Sequence, residues 1–425
     1  MYPDFKTFCD LATTGNFIPL YQEWVADMDT PVSAWYRVCR DRPYNFLLES
    51  VEGGETLARY SLLSCDPLWV LETRGNQTTQ THRDGGVTTF EGNPFEILAA
   101  CLAPYQPVKL PQLPAGIGGL FGFWGYELIQ WIEPRVPIHP PTADDLPDGV
   151  WMQVDQILIF DQVKRKIWAV VYADTRHTDL KTAYTHAGDR LERLLTQLQI
   201  GHPSNSTHLH WQPHQPSPIY TSNTTPEQFC ANVERAKDYI RAGDIFQVVL
   251  SQRLSATYRG DPFSLYRSLR LINPSPYMAY FQFGNWQIIG SSPEVMVKAE
   301  HHPTQPDRLL ATVRPIAGTR KRGRTYAEDQ QLAAELLADD KEVAEHVMLV
   351  DLGRNDLGRV CRQGSVQVEE FMVIERYSHV MHIVSNVIGE LLPEKNRMGF
   401  TASLLSGRNR QWCPQNSCDG DYPCP

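Results

Sequence analysis

Several features that would assign this chain to a broad class are missing from it. Its 425 residues carry a net charge of −10, so it lacks the basic excess that a nucleic-acid partner requires. No apolar run reaches the roughly 20 residues of a membrane span. The opening Met1-Tyr2-Pro3-Asp4-Phe5-Lys6 lacks the basic, then apolar, order of a secretory leader. There is no disulfide framework either. The nine cysteines are odd in number, and six stand singly (Cys9, Cys39, Cys65, Cys101, Cys230, Cys361), which reads as buried reduced thiols. Only Cys413, Cys418 and Cys424 crowd together, at the end. Internal repeats and low-complexity tracts are absent. The stretch Gly116-Ile117-Gly118-Gly119-Leu120-Phe121-Gly122 has neither GxGxxG spacing nor a strand–helix frame, so it reads as close backbone packing, not a dinucleotide loop. With 42% apolar and 21% charged residues, a cytoplasmic enzyme acting on a small molecule is the expectation.

The length allows one large or two medium domains. Strand-like runs fill residues 1–200: Trp69–Glu72, and Trp151–Phe160 pairing with Lys166–Tyr172 across a polar turn as a hairpin. Leu180, Tyr184, Leu191, Leu194, Leu195 and Leu198 give residues 178–199 helical spacing. Residues 201–224 are rich in His, Pro, Ser and Thr, and a linker is placed there. The second domain, 225–403, opens on Thr225-Pro226-Glu227-Gln228, which has the cap, the proline and the third-position glutamine of a helix start. A strand is expected at Asp244–Gln252 and others at Tyr277–Phe283, Gln287–Gly290 and Glu294–Lys298. Helices are expected at 262–271 and 326–349. Without regular βαβ alternation, this mixture predicts an α+β fold with antiparallel sheets.

Two stretches carry chemistry. Arg314-Pro315-Ile316-Ala317-Gly318-Thr319-Arg320 reads as a glycine-bearing turn in a basic flank extended by Lys321, Arg322 and Arg324. Gly318 permits close backbone approach to an anion and Thr319 adds a hydroxyl donor. The pair Glu342 and Glu345, at i and i+3, shares a helix face. Such a pair also suits a solvated helix, but Val343, Val347 and Met348 make this one apolar and His346 follows directly. Carboxylates beside a buried run need a charge partner, and a divalent cation such as Mg²⁺ would serve. His379 and His382 are acid–base candidates. HxxH also occurs in zinc sites, but nothing nearby completes a ligand set.

Together these residues resemble the chorismate-utilising enzymes, in the branch of the anthranilate synthase large component. The matching motifs are GDIFQVVLSQR (243–253), NPSPYMAYF (273–281), IGSSPEVMV (289–297), ATVRPIAGTRKRG (311–323), KEVAEHVMLVDLGRNDLGRV (341–360) and RYSHVMHIVSNVIGE (376–390), with FLLES (46–50) and GGLFGFWGYE (118–127) before them. The resemblance implies two antiparallel β-sheets packed as a sandwich with helices outside. It also implies a carbon–oxygen lyase that converts chorismate and ammonia to anthranilate and pyruvate in tryptophan biosynthesis. Gln247 and Ala317 stand where the isochorismate and aminodeoxychorismate branches resemble lysine-bearing motifs, which favours the anthranilate branch over those two. The roles it implies are Glu294 as general acid, His382 as helper of the elimination with His379 second to it, Gly318 and Thr319 on the substrate carboxylates, and Mg²⁺ on Glu345 and Glu342. A glutamine amidotransferase subunit would deliver ammonia within a heterotetramer. Tryptophan would inhibit by binding Glu49, Ser50, Pro276, Tyr277 and Met278.

After Glu390 the family resembles a PAGTVSGAPK loop, further strands and a last helix with more Mg²⁺ carboxylates, whereas residues 404–425 resemble none of this. A permissible codon choice for residues 407–421, read one nucleotide later, produces a run like the missing loop. A reading-frame slip near Leu404–Ser406 is therefore expected. The chain as written is then expected to have little activity, with an inactive tryptophan-binding remnant as the alternative.

Overall fold

The computed structural model describes residues 1–51, 59–114, 118–133, 146–199, 219–245, 247–305, 307–377 and 379–393. Most of the expected linker and the whole 404–425 tail lie outside these residues, as do Gly116 and Ile117.

Along the chain run α1 (Phe5–Leu11), β1 (Phe17–Val25), α2 (Pro31–Val38), β2 (Tyr44–Glu49), β3 (Tyr60–Cys65), β4 (Trp69–Arg74), β5 (Gln77–His82), β6 (Val87–Glu91), α3 (Pro94–Leu102), β7 (Gly119–Trp124), β8 (Gly149–Val154), β9 (Gln156–Asp161), β10 (Lys166–Asp174) and α4 (Leu180–Gln199). Next come β11 (Tyr220–Ser222), α5 (Pro226–Ala242), β12 (Leu254–Ala256), α6 (Pro262–Ile272), β13 (Tyr277–Phe283) and β14 (Trp286–Ser292). The last are β15 (Lys298–His301), β16 (Leu309–Val313), β17 (Ile316–Lys321), α7 (Tyr326–Leu337), α8 (Asp340–Gly358), β18 (Gln367–Arg376) and β19 (Val380–Glu390). Every pairing between these strands is antiparallel, as expected for α+β.

The chain divides into two compact units. The first holds a seven-stranded sheet, ordered β1-β10-β9-β3-β2-β13-β14, and a five-stranded sheet, β6-β5-β4-β8-β7. Residues 262–292 join this unit because β13 hydrogen-bonds to β2, with Met278 opposite Glu49. Side chains alternate across a strand, so β9, apolar from Ile157 to Phe160, is buried on both faces. Leu158 and Phe160 pack with Trp35, Leu191 and Tyr266 beneath the helices. Ile157 and Ile159 face a second core with Phe46, Val150 and Met152. Phe46 of the larger sheet stacks on Phe121 of the smaller at 4.3 Å, and the two sheets form the expected sandwich.

The run Trp151–Phe160 is not one strand. It breaks at Asp155, β8 going to the smaller sheet and β9 to the larger. Asp155 is buried, with Arg190 2.6 Å from Oδ2 and Arg83 2.6 Å from Oδ1. Burial alone would raise its pKa, but the two guanidiniums hold the carboxyl below the usual range. The glycine-rich stretch packs closely, as expected: a Cβ on Gly122 would lie 1.9 Å from the Val150 carbonyl oxygen.

The second unit contains the sheet of β15, β16, β19 and β17, with β18 also on β19, and the two-stranded β11–β12. Val350 and Leu357 of α8 pack on Val313 and Val387, and Leu336 of α7 packs on Met381 and Ile383. The Thr225–Gln228 capping box forms as read. Three expectations fail. Residues 247–253 are in no strand, although β12 follows at once. Residues 294–297 are likewise not a strand, and β15 starts at Lys298. The helix expected at 326–349 is two helices, because the Asp339 side chain accepts from the amides of Lys341 and Glu342 and caps a fresh start.

Candidate functional site

In the second unit, Gly318 is not in a turn. It sits inside β17, where the pairing with β19 slips between Ala317 and Thr319 and the Gly318 φ is +70°. Only glycine reaches that conformation without strain, so the bulge is written into the sequence. A Cβ there would lie 3.2 Å from Ile383 Cδ1 and Leu336 Cδ1 and 3.3 Å from Glu342 Oε2. The bulge and the α8 carboxylate therefore meet.

His382 faces the same point from β19. Its Nδ1 is 2.9 Å from the Gly318 carbonyl oxygen and 3.1 Å from Thr319 Oγ1. A carbonyl only accepts, so Nδ1 carries a proton, which leaves Nε2 as the ring nitrogen free for acid–base exchange. His379 is exposed, and its carbonyl accepts from the Arg322 amide. Glu345, one turn beyond Glu342, is half-buried.

The basic flank does not behave as an anion cluster. Arg314 pairs with Glu375, Arg322 with Asp329 at 3.0 Å, and Arg320 with Asp339 at 2.7 Å. Hydrogen bonds from Arg322 and the Gly323 amide hold the Asp329 carboxyl down at about 2. Arg320 and Arg322 reach carboxylates at the starts of α8 and α7 and Arg314 reaches strand β18, which leaves Gly318 and Thr319 as the anion candidates.

Among the described residues no group of three or more His, Cys, Asp or Glu side chains is placed to hold a metal ion. Magnesium keeps several waters and needs only one or two protein carboxylates beside its substrate. Glu342 and Glu345 fit such a sparse site, although Glu342 Oε1 also lies 3.7 Å from Arg320 Nη1. Gln247 is half-buried in irregular chain, and no hydrogen bond links it to Thr319 or His382. The neighbouring His346 gives no signal in the sequence beyond its place after the carboxylates. It is fully buried, with Nε2 2.6 Å from Ser385 Oγ, and burial lowers its affinity for a proton.

In the first unit, β2 and β13 bring Glu49, Ser50, Pro276, Tyr277 and Met278 together, with the Val51 amide bonded to the Ser275 carbonyl. Tyr277 stands opposite Ser292 of β14, two residues before Glu294. The Glu294 amide bonds to Ser292 Oγ at 3.3 Å, and the residue is half-buried. Tyr266 and Arg270, which the motifs did not single out, both reach Glu49. Their i, i+4 spacing ahead of NPSPYM was the available signal.

The fold and these residues define a class: the chain belongs to the chorismate binding enzyme family, whose pattern matches residues 45–407. Within that class it is 64% identical over 416 residues to the anthranilate synthase component 1 of Synechocystis sp., covering 95% of this chain and 82% of that protein. The protein of the same name from Acetivibrio thermocellus is 43% identical, covering 97% of this chain and 82% of its own. Among solved structures, the Streptococcus pneumoniae anthranilate synthase component I superimposes with a TM-score of 0.70 at 32% identity, covering 92% of this chain and 83% of that one. Among the described residues no helix is long and apolar enough to cross a membrane.

Proposed function

We propose that this chain is the chorismate-converting component of an anthranilate synthase, a lyase that makes anthranilate and pyruvate from chorismate and ammonia. The observation that carries this is the 64% identity over 416 residues to a protein of that name. Gln247 and Ala317, neither of them lysine, agree with the same branch.

In this reading Glu294 donates a proton to the ring hydroxyl, which leaves as water while ammonia adds to the ring. His382 Nε2 then takes the ring proton as the carbon–oxygen bond breaks. The side chain leaves as enolpyruvate, which takes up a proton at its methylene carbon to become pyruvate, and the ring becomes aromatic. Nδ1, held on the Gly318 carbonyl, fixes the ring so that Nε2 is the nitrogen aimed at the substrate. The Gly318 amide and Thr319 hydroxyl orient the substrate carboxylates. Glu345 and Glu342 would hold Mg²⁺, whose charge offsets that of a carboxylate. Tryptophan would inhibit through Glu49, Ser50 and Pro276–Met278, and a glutamine amidotransferase subunit would supply ammonia in the cytoplasm.

Product identification tests this reading. The purified protein is given chorismate, ammonium and Mg²⁺, and the products are separated and weighed by mass spectrometry. Whatever turnover the chain retains is expected to give anthranilate and pyruvate in equal amounts; isochorismate or aminodeoxychorismate as the main product would refute the assignment.

A further inference from the structure

The pairing of β18 with β19 sets Glu375 directly opposite His382, while β17 sets Thr319 on the other side of the histidine. Directly opposed residues of an antiparallel pair share a face and have Cβ atoms about 5 Å apart. A carboxylate in that place is the natural acceptor for an imidazole N–H, because a hydrogen bond to a charged group is about twice as strong as a neutral one. His382 does not use it. Its Nδ1 lies 2.9 Å from the Gly318 carbonyl oxygen and 3.1 Å from Thr319 Oγ1, on the side of β17.

The reason lies with the partners of Glu375. Arg314 grips Oε1, and the Tyr377 hydroxyl donates to Oε2 at 2.8 Å. Both oxygens are therefore turned to other donors. Tyr377 is itself held by its backbone. Its amide donates to the Val380 carbonyl at 2.8 Å, and its carbonyl accepts from Arg322 Nη1 at 2.5 Å. The Tyr377 ring lies 5.6 Å from that of His382, centroid to centroid, with the planes at 60°, which is an aromatic contact. One side chain thus braces the imidazole and occupies the carboxylate beside it. The difference matters chemically. A carboxylate on the imidazole would stabilise its charged form, whereas a backbone carbonyl fixes the ring without adding a full charge.

Building on the reading of His382 as the proton acceptor of the elimination, we propose that Tyr377 and Arg314 are positioning residues. They hold the Glu375 carboxylate off His382, so that the ring keeps its bond to the Gly318 carbonyl and presents Nε2 to the substrate.

Nitrogen NMR of the full chain labelled with ring ¹⁵N-histidine, detected through the carbon-bound ring protons, reads this without turnover and so can fail separately from the product assignment. The His382 signals are those missing from His382→Gln. At about pH 8, above the ordinary histidine range, one His382 nitrogen should be protonated and the other bare, and Glu375→Gln should leave both in place. Tyr377→Phe keeps the aromatic ring and frees Oε2. The protonated nitrogen of His382 should then move downfield, as for the shorter, charge-assisted hydrogen bond to a carboxylate. Adding Glu375→Gln to Tyr377→Phe should return it to its original position, a reversal that mere loosening of the fold would not give. Signals that stay put in Tyr377→Phe, or that move and are not restored by Glu375→Gln, overturn the proposal. So does a shift in Glu375→Gln alone. Should Tyr377→Phe fail to fold in thermal melts, Arg314→Gln frees the other oxygen of Glu375 and carries the same expectation.

Discussion

At the scale of the residue, Gly318 is the most constrained position near the candidate chemistry. Its φ of +70° strains any side chain, and a Cβ would crowd Ile383 and Leu336 at 3.2 Å. Gly318→Ala is expected to destabilise the protein by about 1–2 kcal/mol, read as a lower urea midpoint. The displaced bulge would also loosen the His382 contact to the Gly318 carbonyl. Ser50 lies where β2 meets β13, beside Glu49. Ser50→Phe should abolish tryptophan inhibition by filling the pocket, while the rate with chorismate and ammonia stays within about twofold; this tolerance reflects the usual mildness of changes away from reacting groups. Persisting sensitivity in that variant would move the inhibitor elsewhere.

Between elements, two buried aspartates hold the fold at points where the chain changes direction. Asp155 stands at the break between β8 and β9, gripped by Arg83 and Arg190. Its removal leaves two facing guanidiniums without their counter-charge, and Asp155→Ala should cost about 3 kcal/mol, measured by chemical denaturation. Asp329 joins the start of α7 to Arg322 and Arg376. Its carboxyl is lowered from 3.8 to about 2 in the folded protein, so its contribution is complete above about pH 4 and fades as the pH falls through about 2. The difference in melting temperature between the parent and Asp329→Asn should therefore shrink across that acid window. A difference that stayed constant down to pH 2 would contradict it. The elements themselves were unevenly legible. Helix α6 and strand β13 follow from periodicity and turn residues. The split of 326–349 was hidden because Leu336, Val343 and Val350 keep apolar spacing across the Asp339 cap. The expected strand at 244–252 has the β-branched composition of one, but the structure pairs only Leu254–Ala256, with β11. Composition alone cannot supply a partner.

For the whole molecule, a net charge of −10 and sheets covered by helices suit a small-molecule enzyme. The relatives' names carry the word component, and a nitrogen donor from a second polypeptide is part of the proposed reaction. Any anthranilate that the chain forms alone should come from ammonium salts and not from glutamine. Adding a purified amidotransferase subunit should make glutamine effective, and glutamine use by the isolated chain would refute that division of labour.

Sequence by itself determined the family, the antiparallel α+β class and the identity of Gly318, Thr319, Glu342, Glu345 and His382 as candidates. Those signals are local, because motif order, capping residues and strand alternation act over a few positions. Tertiary structure decided what each candidate meets. It turned the arginine flank into ion pairs, placed Gly318 in a bulge against Glu342, fixed the proton of His382 on Nδ1, and set Tyr266 and Arg270 on Glu49. Each of these depends on contacts between residues far apart in the chain, and the only record of such contacts is the packing that makes them.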